Sequence, residues 1–116
     1  MDQIILQNSS CFFIQQKEAI LVGSGLIIPK WHLEAPFDLK DKEWTDTFSL
    51  LQYVIAWMKR HYSPDGYNIG WNCGVAAGQE VKHSHMHVIP RFKDEPMAGK
   101  GIRYHLKQET NKRSSQ

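Results

Sequence analysis

A chain of 116 residues, 41% apolar and 22% charged, fits one globular domain and is too short for two independent cores. Its formal charge of +2 is too small to argue for nucleic acid as a partner, although it permits an anionic small ligand. Two distant cysteines, Cys11 and Cys73, form no C-x-x-C pair, so neither a zinc knuckle nor a redox couple is suggested. A reduced protein is a simpler reading than a single disulfide. No apolar run reaches the roughly 20 residues of a membrane span, and MDQIILQNSS lacks the basic and long apolar regions of a leader. The expected location is cytoplasmic, with no membrane partner.

In chain order, CFFIQQ (11–16) favours a strand that ends in the polar turn QQKE. AILVGSGLIIP (19–29) reads as a second strand, at about 20–28, interrupted by Gly23 and Gly25 and ended by Pro29. PKWHLEAPFDL follows as a loop with two prolines. From Lys40 to about Tyr62 the period changes. Trp44, Phe48, Leu51, Ile55 and Met58 fall on one helical face, which Leu50, Val54 and Trp57 widen. Asp38 or Asp41 is placed to cap the start, and Lys59, Arg60 and His61 suit the negative end of the helix dipole. SPDG (63–66) is a turn. YNIGWNC (67–73) reads as a strand, GVAAGQE (74–80) as a glycine loop and KHSHMHVIP (82–90) as a strand ended by Pro90. The remainder is polar and basic, with one short strand or helix expected around 102–107 and a disordered polar tail over 109–116. Strands on both sides of a single long helix, without βαβ alternation, favour an α+β domain with an antiparallel sheet.

The chemistry concentrates in HSHMHVIP (83–90), which holds three of the six histidines. On a strand, His83, His85 and His87 share one face, while Ser84, Met86 and Val88 face the other way. A solvated face would more naturally carry Thr, Lys or Glu. Metal binding and catalysis remain. The outer two imidazoles lie about 13 Å apart along a strand, whereas Zn–N bonds are about 2 Å, so one ion could not take all three. Catalysis ranks ahead: a central imidazole can attack an electrophile such as phosphorus while its neighbours donate protons or hydrogen bonds.

The stretch GWNCGVAAGQEVKHSHMHVIPR resembles the signature of the histidine triad family, H-φ-H-φ-H-φ-φ with φ apolar, preceded by a glycine loop and Gly-Gln. Ser84 is the one non-apolar φ. LIIPKWHLEAPFDL is similar to the family's apolar-apolar-Pro-Lys-x-His stretch. The resemblance covers about residues 10–92 and looks nearest to the fragile-histidine-type dinucleoside polyphosphate hydrolases. The cysteine-bearing zinc start of some relatives is missing, and no metal or cofactor is expected.

The resemblance implies a domain over residues 1–108 with about five antiparallel strands and one long helix, forming a two-fold dimer through the helix and a sheet edge. It implies a hydrolase acting at the α-phosphate of a nucleoside phosphoramidate or dinucleoside polyphosphate, with a nucleotide or dinucleotide as the small-molecule partner. His85 is then the nucleophile and carries a nucleotidyl-histidine intermediate. A backbone carbonyl holds its Nδ1–H, and His83 and His87 flank it. Asn72 and Gln79 match positions that contact phosphate, Gly74 belongs to the loop that approaches the ligand, and Gln16 falls where ribose hydroxyls are held. His32 matches a family position with a structural role.

Three departures stand out. Glu80 replaces a family Ser or Thr, and its carboxylate would repel polyphosphate or serve a leaving amine. Ser24 occupies the place of an upstream family histidine. The N-terminal segment is short, which leaves Ile5, Phe12 and Ile14 as candidates for a purine pocket or for plain core packing. A non-catalytic nucleotide sensor and, further off, a zinc protein are the alternatives to a hydrolase.

Overall fold

The computed structural model describes residues 3–115. Five strands, β1 (Ile4–Gln7), β2 (Cys11–Gln15), β3 (Gly25–Pro29), β4 (Gly66–Gly70) and β5 (Met86–Arg91), form one sheet of order β1-β2-β3-β5-β4. Every neighbouring pair is antiparallel. The single α-helix among the described residues, α1 (Asp41–Tyr62), connects β3 to β4. The expected α+β class, with five antiparallel strands and one long helix, is therefore the observed one.

The period-two pattern of the strands divides the sheet into two faces. Cys11, Phe13, Ile27, Met86 and Val88 are buried under α1, where they meet Leu50, Val54 and Met58. Burying each larger side chain of this set contributes about 1.5–3 kcal/mol. The register places the alternate residues Phe12, Ile14, Leu26, Ile28, His87 and Ile89 on the opposite face, where all are half-buried. Among the described residues no α-helix covers that second face, and the candidate site lies along it.

Several elements depart from the sequence-based expectation. The helix buries Thr47, Leu50, Val54 and Met58. The expected stripe of Trp44, Phe48, Leu51 and Ile55 is rotated towards solvent, with Trp44 40% and Phe48 62% exposed. Helical periodicity fixes the width of an apolar face but not its centre when apolar residues exceed half a turn. Neither aspartate caps the helix. Lys40 is the N-cap residue, and its backbone N–H donates to Glu43 Oε1 at 2.7 Å. Lys59, Arg60 and His61 do occupy the last turn.

The strand expected over 20–28 begins only at Gly25. Residues 16–24 close the β2–β3 hairpin, in which Gln15 pairs with Gly25. Ser24 N donates to Leu21 O, and Gly23 adopts a φ of 92° against the Tyr62 ring. A Cβ at Gly23 would lie 2.9 Å from that ring, so turn geometry and close approach both select glycine. The apolar run Ile20-Leu21-Val22 therefore forms a loop wall, with Ile20 and Val22 exposed.

β4 stops at Gly70, short of the expected Cys73, and β5 starts at Met86, after the expected Lys82. Pro90 lies inside β5, because the ladder to β3 ends at the Gly25–Val88 pair and leaves β5 bonded on one side. β1 corresponds to no element expected from the sequence. Residues Ile102–Lys107 form a 3-10 helix, and Glu109–Asn111 adds one turn within the expected tail. Cys11 and Cys73 are both free thiols. Among the described residues, no helix is long and apolar enough to cross a membrane.

Candidate functional site

Three loops converge beside the open sheet face: the β2–β3 connection, the 30–40 segment and the long β4–β5 connection over 71–85. The last is tied to the second by several contacts. Ser84 N donates to Leu33 O at 2.6 Å, and the Gln79 side-chain amide donates to Glu34 O and Val81 O. Gln79 Oε1 also accepts from Gly74 N at 2.8 Å. Gly74 and Gly78 sit at φ 90° and 98°, conformations that strain any side-chain-bearing residue. Expected as ligand contacts, Gln79 and Gly74 are thus bonded to each other, and the Gln79 amide braces the loop. Neither lines the histidine cavity.

That cavity, about 400 Å3, brings together Gln16, Asn72, Glu80, His83, His85 and His87. Burial alternates without a break from His83 to Pro90, with the imidazoles half-exposed and Ser84, Met86, Val88 and Pro90 buried. The shared face expected of the histidines therefore extends upstream of the ladder, which begins only at Met86. An extended backbone suffices to alternate side chains, and the Leu33 contact holds it extended.

The hydrogen bonds fix proton positions. His85 Nδ1 lies 2.8 Å from His83 O. A carbonyl only accepts, so Nδ1 carries the hydrogen, which selects the neutral tautomer with its lone pair on Nε2. His83 Nε2 likewise donates to Pro29 O at 3.1 Å. Its Nδ1 lies 3.3 Å from His32 Nδ1, with the two rings edge-on at 5.2 Å. One of these two facing nitrogens donates to the other. Both ring nitrogens of His83 are engaged by protein, so its imidazole anchors the segment while its carbonyl orients His85. The Lys-x-His spacing was the only sequence signal for His32.

His87 packs edge-on against His85 with ring centroids 5.0 Å apart. Burial first, and then the neighbouring His85 charge, pushes the His87 pKa below its ordinary value. This imidazole therefore favours its neutral form. Glu80 is the one carboxylate among the residues lining the cavity. Among the described residues, no group of three or more His, Cys, Asp or Glu side chains is arranged to hold a metal ion.

A larger cavity, about 800 Å3 and mostly apolar, adjoins the first and shares Gln16, Leu26 and His87 with it. Its walls come from the 16–24 loop, from Ile89 and Arg91 on β5, and from Glu95 and Met97. Ser24 lines it too. The purine-pocket candidates divide: Phe12 and Ile14 lie on the open face, whereas Ile5 packs against the core. Leu26 escaped the sequence reading, and Ile89, expected to help Met86 and Val88 bury the side away from the histidines, lies instead beside His87, where strand alternation places it.

Comparison with known proteins agrees with this geometry. A family model described as HIT domain matches residues 1–94. A bis(5'-adenosyl)-triphosphatase of Dictyostelium discoideum is 31% identical over 91 residues, 78% of this chain and 61% of that protein. An asymmetrical bis(5'-nucleosyl)-tetraphosphatase of Schizosaccharomyces pombe is 39% identical over 84 residues, 72% of this chain and 46% of that protein. The chain thus spans 46–61% of the length of these two relatives. The crystal structure of a HIT family protein from Bacillus subtilis superposes with a TM-score of 0.74 at 26% identity, covering 81% of this chain and 67% of that one. With the matched family model spanning most of its length, this chain belongs to the HIT domain family.

Proposed function

We propose that the protein hydrolyses a dinucleoside polyphosphate or nucleoside phosphoramidate at its α-phosphate, with His85 as nucleophile. One observation carries the reading: the His83 carbonyl holds His85 Nδ1–H, which selects the tautomer that attacks through Nε2, in a cavity shared with His87 and Asn72. The names of the relatives, a triphosphatase and a tetraphosphatase acting on dinucleosides, support the substrate class.

The chemistry follows in two displacements. His85 Nε2 attacks the α-phosphorus, a P–N bond forms, and the bond to the leaving group breaks, a phosphate departing as its anion and an amine taking up a proton from solvent. The imidazole becomes cationic on attack, and its Nδ1–H to the His83 carbonyl strengthens as charge develops. Water then attacks the same phosphorus, the P–N bond breaks, and neutral His85 and a nucleoside monophosphate are released. Neutral His87 is placed to accept the proton of that water. Asn72 faces the same cavity as a neutral donor to phosphate oxygens. The adjoining apolar cavity suits a nucleoside, with Gln16 at the boundary for its ribose hydroxyls.

The exposed side of α1 supports pairing with a second copy. Trp44 and Phe48 are exposed, with Leu51 and Ile55 half-exposed beside them, and one self-complementary helix face is what a two-fold dimer needs.

Turnover of diadenosine triphosphate, diadenosine tetraphosphate and adenosine phosphoramidate tests the reading. Wild type is expected to release AMP from at least one, and His85→Ala to release none while still folding. Full activity in His85→Ala would overturn it. A folded wild type that binds AMP and turns over nothing would instead favour a nucleotide sensor.

A further inference from the structure

We infer that the cationic cavity formed by residues 99–107 is a second phosphate subsite, taking the distal phosphates of a dinucleoside polyphosphate whose α-phosphate lies at His85. The inference rests on the function proposed above and narrows its substrate class.

Positive charge is concentrated there. Residues 100–113 hold five of the 14 Lys and Arg residues but one of the 12 Asp and Glu residues. A cavity of about 390 Å3 is lined by Lys100, Arg103 and Lys107 together with Asn68 and Tyr104, and none of its lining residues is acidic. A solvated basic tail would spread its cations outward; here three of them border one concavity.

The cavity rests on a rigid support. The Arg91 guanidinium donates to Met97 O at 2.8 Å and to Lys100 O at 2.6 Å, and pairs with Glu95 Oε1 at 2.5 Å. Arg91 also bonds Asn68 Oδ1. With its oxygen occupied, the Asn68 amide nitrogen turns towards Gly101, where a Cβ would come within 3.2 Å of it. Gly99 turns at a φ of 88°. The Lys100 ammonium lies 5.5 Å from the centre of the Tyr104 ring, which holds the cation at the rim. A preorganised cluster of this kind binds anions at lower entropic cost than a mobile tail.

The cavity is continuous with the histidines. A bridging hollow of about 280 Å3 is lined by Gly70, Asn72, His87 and Ile102 along with Asn68. It shares Asn72 and His87 with the catalytic cavity, and Asn68 and Ile102 with the cationic one. The catalytic cavity itself holds a carboxylate, Glu80, and no Lys or Arg. Cations further along the groove supply the attraction that a polyphosphate needs and that this cavity lacks. A phosphoramidate, with one phosphate, would not reach them.

Titration calorimetry with three probes tests the inference: AMP, a methylene-bridged diadenosine tetraphosphate analogue, and inorganic tripolyphosphate. Each is measured on wild type and on Arg103→Gln/Lys107→Gln, whose substituted side chains line neither the catalytic nor the apolar cavity. The double variant is expected to lose at least about tenfold in affinity for the analogue, and AMP to change less than about twofold. Tripolyphosphate binding is expected to weaken in parallel with the analogue. Unchanged analogue affinity, or equal losses for AMP and analogue, would overturn the subsite. Should wild type bind neither nucleotide, the proposed function fails. Tripolyphosphate binding lost in the variant would then mark an anion site unconnected to catalysis, which also overturns the inference.

Discussion

Ser84 is the one polar residue among the inward positions of the histidine segment, and its replacement by alanine gives a prediction of sign. The side chain is 2% exposed, and its hydroxyl has no hydrogen-bond partner among the described residues. The position is held by its backbone, through Ser84 N donating to Leu33 O. Alanine keeps that bond and removes only the hydroxyl. An unpartnered buried hydroxyl costs about 1–3 kcal/mol, and the oxygen leaves too small a void to offset that. Ser84→Ala is therefore expected to stabilise the protein by about 1 kcal/mol, equivalent to a Tm rise of about 4 °C for a chain of this size. Urea and thermal unfolding followed by tryptophan fluorescence read the change. Because the Leu33 contact and the His83 carbonyl are untouched, turnover is expected to stay within about twofold. A loss of 1 kcal/mol or more would refute the reasoning and mean that the hydroxyl is bonded in solution.

The remaining predictions concern the site and the surface. The His87 pKa is depressed in the fold, so the unfolded chain binds the proton more readily. Stability is then fully present above the ordinary histidine value of about 6.5 and declines as pH falls below it. Melting measured from pH 8 to 5 should show that decline in wild type and a smaller one in His87→Asn. His32→Ala removes the hydrogen bond to His83 Nδ1 from a largely exposed partner, and should lower kcat by about two- to fivefold with little change in KM. An unchanged kcat would remove His32 from the positioning network. Phe48→Glu should convert a dimer to a monomer by light scattering without lowering helix content, whereas a wild type that is monomeric at high concentration would remove the pairing.

Much of this was legible in the sequence, for reasons that differ by element. The helix was readable because 22 residues of 3.6-residue periodicity leave little ambiguity, yet its buried centre at Leu50 and Val54 was not. Trp44 and Phe48 are as apolar as the residues beneath them, and only the position of the sheet decides which side is covered. The alternation from His83 to Val88 was readable because extended backbone imposes it with or without a ladder. The turn at 16–24 was hidden by the apolar run Ile20-Leu21-Val22, of which Ile20 and Leu21 line a cavity instead of a core. β1 was hidden by its length of four residues.

Residue identity said less about partners. Gln79 braces the loop and His32 meets His83 through contacts across 45 and 51 residues, a separation that local pattern does not encode. The Arg91 network is similar, since its significance depends on where Met97 and Lys100 return to the sheet.

The most direct test of the account is to trap the covalent intermediate. Wild type would be mixed with an α-phosphate-labelled adenosine phosphoramidate or diadenosine polyphosphate, quenched at alkaline pH where phosphohistidine survives, and mapped by mass spectrometry. The account predicts one adenylyl group on His85 Nε2, absent from His85→Ala. Labelled substrate turned over with no adduct, or an adduct on His83 or His87 instead, would contradict it.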